Sequence, residues 1–461
     1  MNPKKIETKK VSFVESLTIL LLLLATLGYL IIFQKLSPHV PILFVFMLLL
    51  FYGRIKRFSW DEIQNGIISG ISSGIVPIII FILIGVLVST WIMSGTIPTI
   101  MAYGFKIISV KFFLPTVFIV CSLVGITVGS SFTTISTMGI AFLGIGHILG
   151  FDNAITAGAI VSGAFLGNNI SPLSDTTNLA ASIGEVNLFT HIMNVMWTVI
   201  PGFVISFLGY MFIGTPNGNG NLNSLDEMIK TLNSSFHISI ITLLPLVFLF
   251  LFAWKKIPAI PTLLVGSTIA IILSIINDPS LTVQKISNTV MNGYVAHTGD
   301  QNLDNLLSRG GIMSMLGSAC LIILALALGG LLIKFEIVST LINRIKYFVN
   351  NAPKLIGLTA LSSIIINILV GEQYLSIILP GKTFKDSFES LGLFKKYLTR
   401  TLADAGTAVN AIIPWGVSGT FIMGALKVST LAYFPYAFFP LLCPIITMLL
   451  GLTLKNKKYN V

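Results

Sequence analysis

Residues 74–93 read GIVPIIIFILIGVLVSTWIM, a stretch of twenty residues without a charged side chain. A helix that crosses the hydrocarbon core of a bilayer needs about 20 mostly apolar residues. The chain supplies further runs of this kind at 17–33, 193–212, 236–254, 315–333 and 431–454. These runs predict an all-α polytopic membrane protein.

The overall composition supports this prediction. The chain of 461 residues is 54% hydrophobic and 10% charged, with a mean hydropathy of +0.92, whereas soluble domains are about 25% charged. Its net charge of +11 comes from basic residues that cluster outside the apolar runs, at 4–10, 54–57, 255–256, 344–354, 382–400 and 455–458. Because Lys and Arg are enriched in cytoplasmic loops, we interpret the charge as membrane topology with attraction to membrane lipid. This excludes nucleic acid as a partner and predicts cytoplasmic N- and C-termini.

Catalytic and nucleotide-binding patterns are absent from the sequence. It contains neither HExxH nor GxxxxGK[ST], and its histidines and three cysteines lack the spacing of metal ligands. The cysteines are interpreted as packing residues. We therefore predict that the chain is not an enzyme, needs no cofactor and is driven by an ion gradient. A passive channel is the other alternative, but channels favour continuous polar rings over acids at helix breaks.

Two halves of the chain are related by an offset of about 242 residues. The stretch 128-VGSSFTTISTMGIAF-142 aligns with 370-VGEQYLSIILPGKTF-384, and 169-NISP-172 aligns with 410-NAIIP-414. Equivalent loops differ in charge: residues 144–153 contain no Lys or Arg, whereas residues 385–400 contain four. If positive loops are cytoplasmic, equivalent loops lie on opposite sides of the membrane. This pattern predicts two inverted-topology repeats, the usual architecture of secondary transporters.

These features divide the chain into four parts. We predict an N-terminal helical hairpin at 1–58, a first repeat at 59–213 that starts with the capping box 59-SWDE-62, a connecting loop and helices at 214–285, and a second repeat with a cytoplasmic tail at 286–461. Residues 214–230 are predicted to form an external loop. Each repeat is expected to contain a re-entrant hairpin (112–145 and 354–384) and then a broken helix (154–182 and 400–426). The breaks are expected at Pro172 and Pro414, with Gly167, Gly406 and Gly416.

The first break, 167-GNNISPLSDTTNLA-180, gathers oxygen-bearing side chains around one carboxylate. A broken helix frees carbonyl and N–H groups, and hydroxyl and amide oxygens suit a hard cation. Asp175 would supply the charge for Na⁺ or H⁺, although it could also simply cap the second half-helix. The predicted ion- or proton-binding residues here are Asp175, Ser171, Ser174, Thr176 and Thr177, and the predicted substrate-binding residues are Asn168, Asn169 and Asn178.

The second break, 400-RTLADAGTAVNAIIPWG-416, contains the next candidates. We predict that Asp404 and Thr407 bind Na⁺ or H⁺ and that Asn410 binds substrate. An ordinary ion pair between Asp404 and Arg400, one helical turn apart, is a rival interpretation of that acid.

The two hairpins add the remaining candidates. Glu372 is the lone acid in a long uncharged stretch and is predicted to be buried and to bind ions or protons. Gln373 and Tyr374 are predicted substrate contacts. Ser130 and Ser131 are assigned the same role, although small hydroxyl residues also mediate ordinary helix packing in membranes.

These motifs resemble those of NhaC-type sodium/proton antiporters. The first break is similar to that family's Gly-Asp-x-x-Ser-Pro-Leu-Ser-Asp-Thr-Thr pattern, and 371-GEQYLSIILPGKTF-384 and 402-LADAGTAVNAIIPWG-416 resemble two further motifs. The resemblance implies the ion transporter superfamily, a bacterial plasma-membrane location, inverted repeats with re-entrant hairpins, and often a homodimer. The family that it resembles also includes exchangers of malate and lactate. Secondary active Na⁺/H⁺ antiport by alternating access is therefore the expected function, with Na⁺ and H⁺ as coupling ions.

The sequence departs from the family pattern at two acids. Asn168 and Ala403 stand where the patterns have Asp and Glu, which leaves Asp175, Glu372 and Asp404. The lost carboxylates leave room for an organic solute. The alternative function is thus a Na⁺/H⁺-coupled exchanger or symporter of a small organic acid or amino acid. Restoring the acids with Asn168→Asp and Ala403→Glu is expected to raise sodium coupling.

Overall fold

The structure is a computed structural model that describes residues 11–107, 110–213, 222–255 and 257–454. Every regular element in these ranges is helical. Eight helices are long and apolar enough to cross a membrane, or up to eleven if each sharply bent pair counts as one span. The chain is an all-α polytopic membrane protein, as predicted.

The N-terminal part is a helical hairpin followed by a short helix. Helix α1 spans Phe13–Gly28 and continues as π-helix to Phe33, α2 spans His39–Ile55, and α3 spans Trp60–Ser72. The capping box at the start of α3 is confirmed: the Ser59 hydroxyl accepts from the Glu62 N–H at 3.1 Å, and the Glu62 carboxylate accepts from the Ser59 N–H at 2.7 Å.

The predicted first repeat begins with α3, and eight further helices follow in it. They are α4 (Ile75–Met93), α5 (Thr96–Ile107), α6 (Phe113–Val128), α7 (Ser131–Thr134), α8 (Ile140–Ile148), α9 (Asn153–Ile170), α10 (Asp175–Ile183) and α11 (Leu188–Ile213). A π-helical turn at Ile135–Gly139 joins α7 to α8. Helices α6 and α7–α8 form a hairpin, and α9 and α10 form the broken helix.

The connecting part contains more helix than predicted. It comprises α12 (Leu222–Ser235), α13 (Leu244–Trp254) and α14 (Ala259–Asn277), and α15 (Val283–Asn292) crosses its predicted boundary with the second repeat at 285. The predicted external loop at 214–230 is wrong for residues 222–230, which belong to α12; residues 214–221 lie outside the described ranges. The Gly/Asn-rich composition that suggested a loop ends near the start of this helix, whose residues are polar but helix-compatible.

The predicted second repeat continues to the end of the described chain. Its helices are α16 (Gln301–Leu307), α17 (Ile312–Lys334), α18 (Ile337–Lys346), α19 (Ala352–Val370), α20 (Gln373–Ser390), α21 (Lys395–Leu402), α22 (Val417–Leu426), α23 (Thr430–Tyr433) and α24 (Phe438–Leu452). Helix α21 runs on as π- and 3₁₀-helix to Ile412 before α22 begins, and the two segments meet at an angle of 43°.

Both predicted breaks are present at their prolines. The first interrupts the chain between α9 and α10 at residues 171–174, and the second lies at residues 413–416. Pro172 and Pro414 occupy these breaks because proline lacks an N–H and disfavours helix at the preceding residue. Gly416 caps α22, but a break at Gly167 or Gly406 is wrong, since Gly167 lies inside α9 and Gly406 inside the π-helical turn.

Glycine at position 167 has a packing role instead. A Cβ there would lie 2.4 Å from the Ser122 carbonyl oxygen and 2.7 Å from the backbone of Gly125 on α6. Gly163 approaches α6 in the same way, at 2.4 Å from the Phe118 carbonyl oxygen. Small residues let helix backbones touch in membrane proteins. Helices α6 and α9 therefore pack backbone against backbone.

Each hairpin tip lies against the break of its own half. At the first tip, Gly129 adopts φ +72°, and a Cβ there would lie 2.9 Å from the Ser174 nitrogen. At the second tip, Gly371 adopts φ +74°, and its carbonyl accepts a hydrogen bond from the Val417 N–H at 2.7 Å. The two tips therefore share a local arrangement, in which a glycine with positive φ lies against a proline-containing break.

The two halves also contact each other directly. Phe81 of α4, Phe132 of α7 and Phe421 of α22 form an aromatic cluster with ring centroids 4.6–6.0 Å apart. At one end of α10, Glu185 forms ion pairs with Lys385 and Lys395. These two ammonium groups lower the pKa of Glu185 to about 2.

Candidate functional site

The hydroxyl groups of the first break hold its backbone together. The Ser171 hydroxyl donates to the Ile126 carbonyl at 2.6 Å and ties the break to α6. Ser174 is the N-cap of α10, and its hydroxyl accepts from the Thr177 N–H at 3.3 Å. The Thr177 hydroxyl donates to the Asn168 carbonyl at 3.0 Å. These groups satisfy the polar groups that a broken helix leaves open.

Side-chain contacts across the break add to this network. The Asn168 amide donates to the Thr176 hydroxyl at 3.1 Å, and that hydroxyl also contacts the Ser174 hydroxyl at 3.0 Å. The Asn178 amide donates to the Pro172 and Ser174 carbonyls at 3.0 and 2.7 Å. The break is therefore a preformed turn.

Asp175 opens α10 and is exposed, unlike its threonine neighbours. One carboxylate oxygen accepts from the Thr176 N–H at 2.8 Å, which suits an acid in the first turn of a helix. The other accepts a hydrogen bond from the Tyr374 hydroxyl of α20. This acid thus links the first break to the second hairpin.

The carboxylate faces a cavity of about 450 Å³ between the two halves. Both hairpin tips, the first break, α4 and the start of α14 contribute to its wall. The predicted site residues that line it are Ser130, Ser131, Asn168, Asp175, Asn178, Gln373 and Tyr374. The structure thus brings together seven predicted residues from three separate stretches of sequence.

Glu372 is fully buried beside this cavity, as predicted. It caps α20, because one of its carboxylate oxygens accepts from the Leu375 N–H at 2.8 Å. The second oxygen, Oε1, has no hydrogen-bond partner, and neither has Oε1 of the neighbouring Gln373. Two consecutive residues at the second hairpin tip therefore each keep one buried acceptor without a partner.

Asp404 occupies a second, fully buried cluster outside the cavity wall. Its Oδ1 accepts from the Asn169 amide at 3.1 Å, the Thr198 hydroxyl at 3.1 Å and the Cys443 thiol at 3.0 Å. Its Oδ2 has no partner. Asn169 thus contacts the buried acid, and Cys443 is a hydrogen-bond donor as well as a packing residue.

The ion pair considered for Asp404 does not form. The four ion pairs among the described residues do not include Arg400, whose Nε donates to the Thr447 hydroxyl at 3.2 Å. The π-helical turn at Ala403–Thr407 removes this stretch from the regular i,i+4 spacing on which that pairing depends.

Asn410 is part of the backbone scaffold at the second break. Its amide nitrogen donates to the Asn367 side chain at 2.9 Å and to the Gly371 carbonyl at 3.1 Å. Its oxygen accepts from the Ser418 N–H at 2.8 Å. It is fully buried and does not line the cavity. Thr407 is buried too, with a hydroxyl that has no partner.

The cavity wall also contains residues that the sequence did not single out. They lie in the connecting part rather than in either repeat, just before and at the start of α14: Ile257, Pro258, Ala259, Ile260 and Thr262. Ala403, where the motif has an acid, is buried outside the cavity, so the two motif departures do not vacate one common space. Among the described residues, no group of three or more His, Cys, Asp or Glu could hold a metal ion.

A family model described as the Na⁺/H⁺ antiporter family matches residues 6–177 and 163–453. The chain belongs to this family. It is 40% identical over 417 residues to the Na⁺/H⁺ antiporter NhaC of Alkalihalophilus pseudofirmus, covering 90% of each chain. It is 35% identical to the NhaC of Bacillus subtilis, covering 97% of this chain and 99% of that one.

A third relative is named for a different activity. The malate-2H⁺/Na⁺-lactate antiporter of Bacillus subtilis is 31% identical to this chain, over 82% of it and 81% of the relative. The predicted resemblance to NhaC-type antiporters and their malate/lactate branch is confirmed. The family is one of transporters, which agrees with the prediction that the chain is not an enzyme.

Proposed function

We propose that this chain is a secondary active antiporter that exchanges Na⁺ for H⁺ across the bacterial plasma membrane by alternating access. The observation that carries the proposal is Asp175, an acid at a helix break that faces a cavity between the two halves. Its membership of the Na⁺/H⁺ antiporter family supports the same function.

In this proposal Na⁺ and H⁺ compete for Asp175. The carboxylate supplies the charge, and the hydroxyl and amide oxygens of Ser130, Ser131 and Asn168 lie in the same wall for a cation that prefers oxygen ligands. Because the hydroxyls of Ser171, Ser174, Thr176 and Thr177 already hold the turn, their role is to keep the carboxylate in place. Preorganisation of this kind reduces the cost of binding.

Glu372 and Asp404 are proposed as further ion- or proton-binding groups. Each is fully buried and keeps one carboxylate oxygen without a partner. A charged acid inside a membrane is costly and is usually functional, so a cation or a proton is the natural occupant of that oxygen. Asn169 couples the two breaks, because it donates to Asp404 and is the next residue in the sequence after the wall residue Asn168.

The wider arrangement belongs to the same proposal. The four parts of the chain are an N-terminal hairpin, two inverted repeats with re-entrant hairpins, and a connecting part. Both termini are placed in the cytoplasm, as the basic loops indicate. Lipid surrounds the apolar faces, and the chain forms a homodimer, as the family resemblance implies.

The test uses purified protein in liposomes that contain a pH dye. We expect proton movement when Na⁺ or Li⁺ is added on one side and none when K⁺ is added. Asp175→Asn is expected to abolish this exchange with expression intact. The matched control is Asp61→Asn, an exposed acid in the first turn of α3. Retained cation-dependent proton movement in Asp175→Asn would remove this acid from the mechanism.

A further inference from the structure

The cavity at Asp175 is much larger than a metal ion requires. Its volume of about 450 Å³ lies within the range of roughly 300–1,000 Å³ that is typical of pockets for small organic ligands. A Na⁺ ion at the carboxylate would leave most of this space to water. The space is therefore sufficient for a ligand with a body as well as a charge.

The charge of the wall limits which ligand fits. Among the described residues that line the cavity, the charged one is Asp175, and the buried acid Glu372 follows directly behind the tip. A carboxylate solute on its own would be repelled by these acids, since like charges close to one another are unfavourable. A cationic ligand would be attracted.

The polar groups of the wall call for hydrogen-bond donors. The Asp175 carboxylate is an acceptor only, and the side-chain amides of Asn168 and Gln373 lie in the same wall. An ammonium group offers three N–H donors and a guanidinium group five, and neither contains an acceptor. Either group can donate to the Asp175 carboxylate in the cavity wall.

The rest of the wall is apolar. Val76, Pro77 and Ile80 of α4 contribute aliphatic surface, as do Val128 at the first tip and Ile257 and Ile260 near α14. Bare Na⁺ gains nothing from such a surface. Each methylene group that an organic ligand buries there improves its affinity by about fourfold.

We propose that this cavity also binds a small organic cation, an ammonium or guanidinium group with an apolar substituent. The charged group lies at Asp175, the substituent packs against the aliphatic wall, and Na⁺ and the organic cation exclude each other. The inference rests on the proposed function, because it assigns a second class of cation to the same cavity.

The test measures binding of n-alkylguanidinium chlorides, from methyl to butyl, to the purified full chain in detergent by calorimetry. Guanidinium stays charged at all working pH values, so the series changes only in chain length. We expect affinity to rise up to about fourfold per methylene and Na⁺ to weaken it competitively. Potassium butyrate, which has a similar apolar body and the opposite charge and brings no Na⁺, is expected not to bind through its carboxylate. Equal affinity across the series, or butyrate binding as strong as butylguanidinium binding, would overturn the proposal.

Three variants locate the binding. Asp175→Asn is expected to remove binding of the whole series. Ile80→Asn is expected to flatten the dependence on chain length while methylguanidinium still binds. The control is Leu264→Ala on an exposed face of α14, which is expected to leave every affinity unchanged. If affinity still rises with chain length to the same extent in Ile80→Asn, the assignment of the aliphatic wall is contradicted.

Failure of this inference is distinguishable from failure of the proposed function. Na⁺/H⁺ exchange in liposomes that no alkylguanidinium inhibits would overturn the inference alone. Chain-length-dependent binding that requires Asp175, in a protein without Na⁺/H⁺ exchange, would support the inference and overturn the proposed function.

Discussion

Replacing Asn410 with Ala tests whether this buried amide is a scaffold or a substrate ligand. The sequence pattern predicted a ligand, whereas in the structure its side chain makes three hydrogen bonds within the protein at 2.8–3.1 Å. These bonds join the second break to the second hairpin tip. We therefore expect the variant to be destabilised before it is impaired in binding.

The expected magnitude follows from these contacts. A buried hydrogen bond contributes about 1 kcal/mol net, and each partner left without a bond costs about 1–3 kcal/mol. The substitution leaves the Asn367 side chain, the Gly371 carbonyl and the Ser418 N–H without this partner. The free energy of unfolding should fall by about 3 kcal/mol or more, and the melting temperature by on the order of 5 °C.

Thermal unfolding in detergent measures this effect, with Na⁺ affinity measured on the same preparation. The matched control is Asn168→Ala. The Asn168 side chain lines the cavity, and its amide donates one side-chain hydrogen bond, to Thr176. It should lower the melting temperature less and Na⁺ affinity more. An unchanged melting temperature with weakened binding in Asn410→Ala would refute the scaffold assignment.

Three further changes are predicted. Asn168→Asp adds a carboxylate to the cavity wall, so Na⁺ affinity in liposome exchange should rise, and an unchanged or weaker affinity would contradict this. Glu185→Gln should lower the melting temperature at pH 7. Because the folded pKa of Glu185 is lowered to about 2, its stabilisation is present above the unfolded value of about 4.5 and fades as pH falls toward 2. The difference from the parent chain should therefore shrink on acidification. Gly167→Ala places a methyl group 2.4 Å from a backbone oxygen and should cost about 1–3 kcal/mol, whereas Gly357→Ala, with nothing within 4 Å, should be tolerated in the same melting assay.

Much of the fold could be predicted because its signals are local. Apolar runs of spanning length identify most of the helices, although the run at 431–454 is bent by 57°. Pro172 and Pro414 identify both predicted breaks, since proline prevents a helix from continuing through them. Glu372 could be recognised as buried because it is the lone acid in an oily stretch. These predictions depend on short sequence windows and are confirmed.

The partners of each polar group could not be predicted in the same way. Asn168 and Asn169 are adjacent in sequence, yet one lines the cavity and the other donates to Asp404. Successive residues on a helix point about 100° apart, and the sequence alone does not fix which neighbour each one meets. Thr198 and Cys443 reach Asp404 from 206 and 39 residues away. No local pattern indicates those contacts.

The backbone contact between α6 and α9 has a consequence for how the protein can move. Gly163 and Gly167 leave no gap between the two helices, so sliding or tilting one against the other would drive carbonyl oxygens into neighbouring atoms. The first hairpin and the first broken helix therefore travel as one body. A pair of spin labels at the solvent ends of α6 and α9 should report the same separation in every state. A second pair, with one label on each side of the hydrogen bond between Asp175 and Tyr374, should report two different separations.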